Sequence, residues 1–142
     1  RKEAYSTPFG MAGHPPPTKS ALEATAEERE AAYASKWEAG GSISYLYTYT
    51  DLLLNQDAND TAADFVRARI RETVNDPATA ELLCPTDHPI GTKRLILDTN
   101  YYEVFNQDHV SLVDVRSTPI ECVKPKGLRV RTRAGFYGHA TE

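Results

Sequence analysis

The sequence feature that most constrains the fold is an apolar stripe that recurs every four residues near the middle of the chain. Its members are Ala62, Val66, Ile70 and Val74, with Phe65 beside them. Side chains at this spacing share one face of an α-helix, and that face has to be buried against other elements. We therefore predict a central helix that is capped by Asn59 or Asp60.

An earlier helix is marked at both of its ends. Thr25 is followed three positions later by Glu28, which is the capping-box pattern, and the glycines at 40–41 suit a helix exit. Tyr33 and Trp37 lie four positions apart on this helix. We interpret the two aromatic side chains as a packing ridge.

The remaining surface of the central helix carries three basic residues, and a further helix follows it. Arg67, Arg69 and Arg71 are interpreted as a solvated face. Asp76 and Pro77 have the pattern of a helix cap and first helical residue. They predict a short helix that ends at Leu83.

Residues 43–54 are compatible with two structures. Apolar and aromatic residues at every second position, Ile43, Tyr45, Tyr47 and Tyr49, indicate a strand. Tyr49, Leu52 and Leu53 instead repeat with helical spacing. Periodicity leaves both structures open.

The last third of the chain has the sequence pattern of short strands instead of helices. Strand-like runs occupy 110–115 and 119–123, and a Pro-Lys-Gly turn at 125–127 predicts a hairpin with 128–132. The chain itself is thus predicted to be α+β, with a helical first half and short β-strands in the second half.

Composition limits the partners. The chain has 142 residues and a net charge of −4, so general attraction to nucleic acid or an anionic membrane is not expected. The basic run 124–133 lacks interleaved aromatic residues and is interpreted as a charged hairpin face. No apolar run approaches the roughly 20 residues of a membrane span. We expect neither a nucleic-acid nor a membrane partner.

The cysteines and histidines show no metal-site spacing. Cys84 and Cys122 are expected to be two buried free thiols in a reducing compartment, which favours a cytoplasmic location over a secreted one. The four histidines, His14, His88, His109 and His139, are expected at loop or solvent positions.

Two adjacent cations, Lys93 and Arg94, follow a turn at 89–91 and precede the apolar run 95–97. Positive charge beside a core-forming run is costly to desolvate, so it indicates an anionic partner or a catalytic task. The alternative from composition alone is that both cations flank a core strand and contact solvent. Leu95 suits a pocket wall or the core equally well.

Four runs carry a resemblance to a known family: EREAAYASKWEAGG, DLLLNQDAND, FVRARIRETVNDPATAELLCP and GTKRLILDTNYYEVFNQDHVSLVDV. In this order and spacing they resemble the middle of Baeyer–Villiger monooxygenases of the phenylacetone and cyclohexanone monooxygenase type. The resemblance extends from about Thr25 to Arg131. It implies an α/β parent with two dinucleotide-binding domains, one for FAD and one for NADPH, and it favours helix for residues 44–54.

The chain is predicted to have three parts. The density of proline and glycine in residues 6–18 indicates an extended connector over 1–24. The resemblance implies that 25–92 would be a helical insertion of the NADPH-binding domain, and 93–142 the Lys-Arg loop and the β segment that returns towards the FAD domain. The glycine-rich cofactor motifs of such enzymes do not occur in residues 1–142. We therefore expect an internal fragment that depends on the remaining domains of a longer chain and is inactive alone.

The implied chemistry is the insertion of oxygen next to a ketone carbonyl, through a flavin peroxide formed with molecular oxygen, to give an ester or lactone. By motif position Arg94 would be the catalytic arginine and would also contact the nicotinamide end of the cofactor, while Lys93 would meet the 2′-phosphate of NADPH. A guanidinium stays charged at any working pH and can stabilise developing negative charge. Two alternatives remain: a flavin monooxygenase that attacks nitrogen or sulfur, and a non-catalytic helical interaction module.

Overall fold

A computed structural model describes residues 16–40, 42–96 and 99–131. Its helices are α1 (Ala26–Ala39), α2 (Ser42–Leu46), α3 (Gln56–Thr73), α4 (Pro77–Leu83) and a 3₁₀ helix (Glu103–Asn106), and its strands are β1 (Ile120–Lys124) and β2 (Gly127–Val130). Within the described ranges every α-helix precedes both strands. The predicted α+β character of the chain is confirmed.

Helix α1 begins as its sequence predicts. The Thr25 side chain accepts a hydrogen bond from the Glu28 N–H, and the Glu28 carboxylate accepts one from the Thr25 N–H at 2.8 Å. At the other end Gly40 has a φ of 71°, a conformation that glycine adopts without steric cost. The capping box and the glycine exit at position 40 are confirmed, and position 41 lies outside the described residues.

Helix α3 begins one turn earlier than predicted. Asn55, and not Asn59 or Asp60, is the cap, and its side chain accepts a hydrogen bond from the Ala58 N–H at 3.2 Å. The prediction was wrong because polar residues that suit a cap occur on successive turns, and Asn55 is the one whose own backbone is extended directly before the helix. Asn59 is instead buried inside the fold.

The core lies between α1, α2 and α3 and is rich in aromatic side chains. The buried ring of Tyr33 is 5.4–5.7 Å from the rings of Tyr45, Tyr49 and Phe65. Trp37 contacts the same group, so the predicted packing ridge is confirmed. Each such pair contributes about 0.5–1.5 kcal/mol beyond its area burial. The apolar stripe of α3 is buried in this core, as predicted.

The three arginines of α3 form a partly solvated face that also binds neighbouring elements. Arg69 pairs with Glu30 of α1, Arg67 donates to the Pro85 carbonyl, and Arg71 pairs with Glu81 of α4. Arg71 is exposed, as interpreted, whereas the Arg67 side chain is only 19% exposed. The interpretation is incomplete for Arg67 because periodicity shows which residues avoid the apolar stripe but not what lies beside them.

Residues 42–54 combine a short helix with turns. Helix α2 ends at Leu46, and 47–54 form bends and turns. The helix favoured for 44–54 is therefore correct only at its start, and the strand alternative is wrong. The Thr48 hydroxyl donates to the Tyr45 carbonyl at 2.6 Å, a local bond of the kind that competes with helix continuation.

The end of the predicted connector packs against these turns. Ala21 is fully buried, and its N–H donates to the Asp51 carboxylate at 2.9 Å. The Thr50 N–H donates to the Lys19 carbonyl at 3.1 Å. The proposed domain limits at 24/25 and 92/93 stay predictions.

The second half contains one hairpin within its described residues. Strands β1 and β2 are antiparallel, with Val123 opposite Leu128, and Arg131 pairs with Glu121 at 2.9 Å. Residues 110–115 are irregular, so the strand predicted there is wrong: no described strand lies beside them to complete a ladder. No described helix is both long and apolar enough to cross a membrane.

The two cysteines differ in their surroundings. Both are free thiols, as predicted, but only Cys84 is buried, and Cys122 is exposed on β1. Burial raises the pKa of the Cys84 thiol above its ordinary value. The expectation of two buried thiols was wrong for Cys122 because the hairpin leaves both of its faces largely uncovered.

Candidate functional site

The Lys93–Arg94 pair lies on an irregular segment directly after a tight turn. Gly91 has a φ of 92°, and a Cβ atom at this position would lie 2.8 Å from Leu53 Cδ2. The Thr92 hydroxyl closes the turn by donating to the Pro89 carbonyl at 2.7 Å. The backbone conformation therefore favours glycine before the two cations, and a Cβ atom would also require the flexible Leu53 side chain to shift.

The two cations line a groove of about 720 Å³ between α1, α3 and the segment that follows α4. Both are exposed. Leu95 lines the same groove and also packs against the core. It therefore belongs to both the pocket wall and the core, which were predicted as alternatives. The site residues that the sequence singled out, which are consecutive in the chain, therefore all line one groove.

Aromatic and aliphatic side chains form most of the groove wall. They include Trp37, Tyr45, Val66, Ile90, Tyr101 and Tyr102. The last two are in T-shaped contact, with ring centroids 5.2 Å apart. Such a wall suits a flat, partly apolar ligand or a partner surface.

The charged side chains among the described lining residues of the groove are all basic. Its described lining residues include Lys36, Arg67, Lys93 and Arg94, and none of them is an aspartate or glutamate. Cations that line a concave surface with apolar walls concentrate anions there. The groove is therefore suited to an anionic ligand.

A charged cluster beside the groove includes Lys93. The Asp87 carboxylate accepts hydrogen bonds from His88 Nδ1 at 2.5 Å and from Arg116 at 2.6 Å. These two bonds, followed by the charge of Lys93, hold the pKa of Asp87 well below its ordinary value. The cluster joins residues near 116 to the turn that precedes the cations.

Asn59 connects this turn to α3. Its Nδ2 donates to the Leu52 carbonyl at 2.7 Å and to the Ile90 carbonyl at 2.8 Å, and its Oδ1 accepts from the Ile90 N–H at 2.9 Å. This role of Asn59 was not predicted, because Asn59 was interpreted as one of two candidate helix caps. The available signal was a polar residue three positions before Ala62, on the apolar face of the helix.

Asn106 connects the far end of the same segment to α3. Its Oδ1 accepts from the Asn75 N–H and its Nδ2 donates to the Thr73 carbonyl, both at 2.8 Å. The sequence gives no signal for this contact, because the partners are more than 30 positions apart.

The histidines take separate positions. His88 lines the groove and His109 is exposed, while His14 and His139 lie outside the described residues. In the described parts of the chain no group of three His, Cys, Asp or Glu side chains could hold a metal ion.

Several known proteins are similar to this chain, although no protein-family model matches it. A 2-oxo-Δ³-4,5,5-trimethylcyclopentenylacetyl-CoA monooxygenase of Pseudomonas putida is 41% identical over 129 residues, which are 91% of this chain and 24% of that protein. A Baeyer–Villiger monooxygenase of Pseudooceanicola batsensis is 41% identical over 77% of the chain and 20% of its own length. A phenazine N-monooxygenase of Lysobacter antibioticus is 38% identical, again over 77% of the chain and 20% of its own length.

Solved structures agree with these relatives. An oxidised steroid monooxygenase bound to NADP has a TM-score of 0.87 and 43% identity, covering 96% of this chain and 26% of its own. OTEMO in complex with FAD and NADP has a TM-score of 0.83 and 40% identity, covering 91% of this chain and 24% of its own.

These matches define the class first: the relatives named above are monooxygenases. Within that class the chain belongs to the Baeyer–Villiger monooxygenase family, which confirms the resemblance seen in its sequence. It spans about a quarter of the length of the curated relatives that it matches.

Proposed function

We propose that this segment acts within a longer FAD- and NADPH-dependent monooxygenase that inserts oxygen next to a ketone carbonyl. Its partners would be the ketone, molecular oxygen and the remaining domains of the longer polypeptide. The observation that carries the proposal is the position of Lys93 and Arg94 on one short segment, beside an aromatic groove whose described lining is cationic. The similar structures that hold FAD and NADP support the choice of cofactors.

The residues of the groove fit the nicotinamide nucleotide. Its phosphates require cations, and its planar rings require apolar or aromatic walls. Lys93 supplies a compact charge at the rim and Trp37, Tyr101 and Tyr102 supply ring surfaces. We assign Lys93 to the 2′-phosphate that distinguishes NADPH from NADH.

Arg94 is assigned to the reaction itself. When bound, the flavin supplies the activated oxygen that adds to the ketone. Negative charge then develops on the reacting oxygen atoms, and a guanidinium directed at them stabilises that charge without losing its own proton. Arg94 would also contact the nicotinamide end of the nucleotide.

The placement of the segment within the longer polypeptide is part of the proposal. Residues 25–92 would form a helical insertion in an NADPH-binding domain, and 93–142 would lead back to an FAD-binding domain, each domain being of the dinucleotide-binding α/β type. The exposed apolar side chains Ile96 and Val123 support this placement, because a neighbouring domain would cover them.

A second candidate function is the oxygenation of nitrogen or sulfur. It is favoured by the similarity to a phenazine N-monooxygenase, which is nearly as high as the similarity to the ketone-related enzymes. The same Lys93 and Arg94 would serve both reactions, so product chemistry has to separate them.

The test uses the full-length polypeptide of the reading frame, purified with its flavin. NADPH, oxygen and either a cyclic ketone, a phenazine or a thioether are supplied, and products are identified by mass spectrometry. A lactone supports ketone oxygenation, whereas an N-oxide or sulfoxide alone supports the second candidate. NADPH oxidation without any oxygenated product contradicts both.

The role of Lys93 is tested by nucleotide preference. Lys93→Ala should reduce the ratio of NADPH to NADH affinity, because a phosphate loses its cation. Lys36→Ala is the matched control, since Lys36 is a second lysine of the same groove. An unchanged ratio in Lys93→Ala, or an equal fall in Lys36→Ala, would contradict the assignment.

A further inference from the structure

We propose that Asn59 is the positioning residue that sets where Lys93 and Arg94 stand. One amide side chain binds both backbone groups of Ile90, its N–H at 2.9 Å and its carbonyl at 2.8 Å. This two-bond pairing has the pattern of a β-ladder contact, made here by a side chain. The proposal rests on the proposed function, which gives the two cations their tasks.

The chemistry of the contact requires an amide. Asn59 donates from Nδ2 and accepts at Oδ1, whereas a carboxylate has no donor and an aliphatic side chain has neither group. The third bond, from Nδ2 to the Leu52 carbonyl, joins the turns before α3 to the same point. Three separate parts of the chain therefore meet at one side chain.

Burial makes the contact hard to replace. Asn59 is 4% exposed and Ile90 is 8% exposed, so water has little access to the groups that they pair. Removing the amide would leave the Leu52 carbonyl and both backbone groups of Ile90 without their partner. Buried polar groups in that state are costly, and the turn is expected to move in order to recover partners.

The path from Asn59 to the cations is short, and the bond from the Thr92 hydroxyl to the Pro89 carbonyl closes the turn along it. Gly91 follows Ile90 and is pressed against Leu53 and Leu46, with the position of a Cβ atom 2.8–3.2 Å from their methyl groups. Lys93 and Arg94 come next, at most roughly 14 Å of extended chain from Ile90. A shift of Ile90 is therefore passed to both cations.

The opposite end of the segment is also held by an asparagine. Asn106 binds the Thr73 carbonyl and the Asn75 N–H at the end of α3. Helix α3 thus fixes the segment on both sides of the cations. Asn59 binds Ile90, which lies three positions before Lys93, and Asn59 is the buried anchor of the two.

The test compares Asn59→Leu with Ile70→Ala in the full-length flavoprotein. Leucine has a similar size but makes no hydrogen bond, while Ile70 is a buried α3 residue outside the groove lining. Dissociation constants of NADP⁺ and NAD⁺ are measured by calorimetry. Asn59→Leu should lower the NADP⁺ preference towards the Lys93→Ala value, and turnover should fall by up to roughly 100-fold if the cations move by about 1 Å.

Hydrogen exchange supplies a readout independent of activity. The Ile90 N–H should exchange slowly in the native protein and much faster in Asn59→Leu. In Ile70→Ala the exchange of the α3 amides can rise with the loss of stability, but the Ile90 N–H should still exchange no faster than they do. A folded Asn59→Leu protein that keeps its NADP⁺ preference overturns the proposal, even if it is less stable. If that variant does not fold, Asn59→Gln, which displaces the amide by one methylene, takes its place with the same two expected results.

A double substitution separates this proposal from the proposed function. If Asn59 acts through Lys93, adding Asn59→Leu to Lys93→Ala should lower the NADP⁺ preference no further. Additive losses overturn the positioning role. An unchanged preference in Lys93→Ala alone would instead count against the proposed function of Lys93.

Discussion

Gly91 has a backbone conformation that favours glycine and lies two positions before Lys93 of the site. Its φ of 92° disfavours any side chain, and a Cβ atom would also displace the methyl ends of Leu53 and Leu46, which are the far ends of flexible side chains. Gly91→Ala should lower the free energy of unfolding by about 1–3 kcal/mol through backbone strain, with only a small further loss from crowding.

Gly127→Ala is the matched control for this substitution. Gly127 has a φ of 146°, but apart from its two chain neighbours no atom of the described residues lies within 4 Å of the position where its Cβ would be. Urea unfolding should therefore show a smaller loss than for Gly91→Ala. Equal losses would mean that the close approach of Leu53 and Leu46 to the turn has no energetic weight.

Asp51 gives the chain a pH dependence that can be assigned to one residue. Partial burial alone would raise the pKa of Asp51, but hydrogen bonds from the Ala21 N–H and the Ser20 hydroxyl outweigh it and keep the pKa below its ordinary value of 3.8. The folded state thus holds the proton less tightly than the unfolded state. The stabilisation is present above the unfolded-state pKa of about 4 and is lost as the pH falls through the lower folded-state value.

Asp51→Asn should therefore cost more stability at pH 7 than at pH 3. Unfolding by urea at both pH values, with the exposed Asp108→Asn as the control, measures this difference. A cost that is constant or larger at pH 3 would show that the Asp51 charge does not hold residues 20–21 against the turns.

At the scale of elements, the start of α3 offers a direct comparison. Asn55 is the observed cap, whereas Asp60 is an exposed residue of the second turn that accepts a hydrogen bond from Gln56. Asn55→Ala should cost about 1 kcal/mol, and Asp60→Ala should change stability by less than about 0.5 kcal/mol. Thermal unfolding of the two variants distinguishes them. A larger loss for Asp60→Ala than for Asn55→Ala would instead support the helix start near Asp60 that the sequence suggested.

The elements that the sequence predicted correctly are those with local signals. The capping box at Thr25, the Asp76–Pro77 start of α4 and the turn at 125–127 each depend on residues within one or two turns. The structure of residues 47–54 and 110–115 was predicted wrongly, because tertiary contacts, or their absence, decide it. Periodicity of side chains carries no information about those contacts.

At the scale of the whole molecule, large apolar side chains remain uncovered. Leu54, Ile96 and Val123 are each 79–87% exposed. Together with the quarter-length match to its relatives, this exposure leads us to expect that the 142-residue chain alone binds no flavin, oxidises no NADPH and tends to self-associate. Absorbance at flavin wavelengths and size-exclusion chromatography test this, and a yellow monomer would contradict it.

The site was predictable only in part. Lys93 and Arg94 stood out from their sequence context, and the family resemblance assigned their roles. The groove around them is built by residues as distant as Trp37 and Tyr102, and its anchors Asn59 and Asn106 act across more than 30 positions. Contacts of that range follow from the packing of the helices and not from any local pattern.

The central claim is that the Arg94 guanidinium stabilises the charge that develops during oxygen insertion. The most direct measurement is the rate of ketone oxygenation by the full-length flavoprotein carrying Arg94→Ala, with flavin content and NADPH binding determined in parallel. The rate should fall by roughly 100- to 1,000-fold at normal flavin content, as for the loss of one oxyanion donor. An unchanged rate in a properly loaded Arg94→Ala enzyme would contradict the claim.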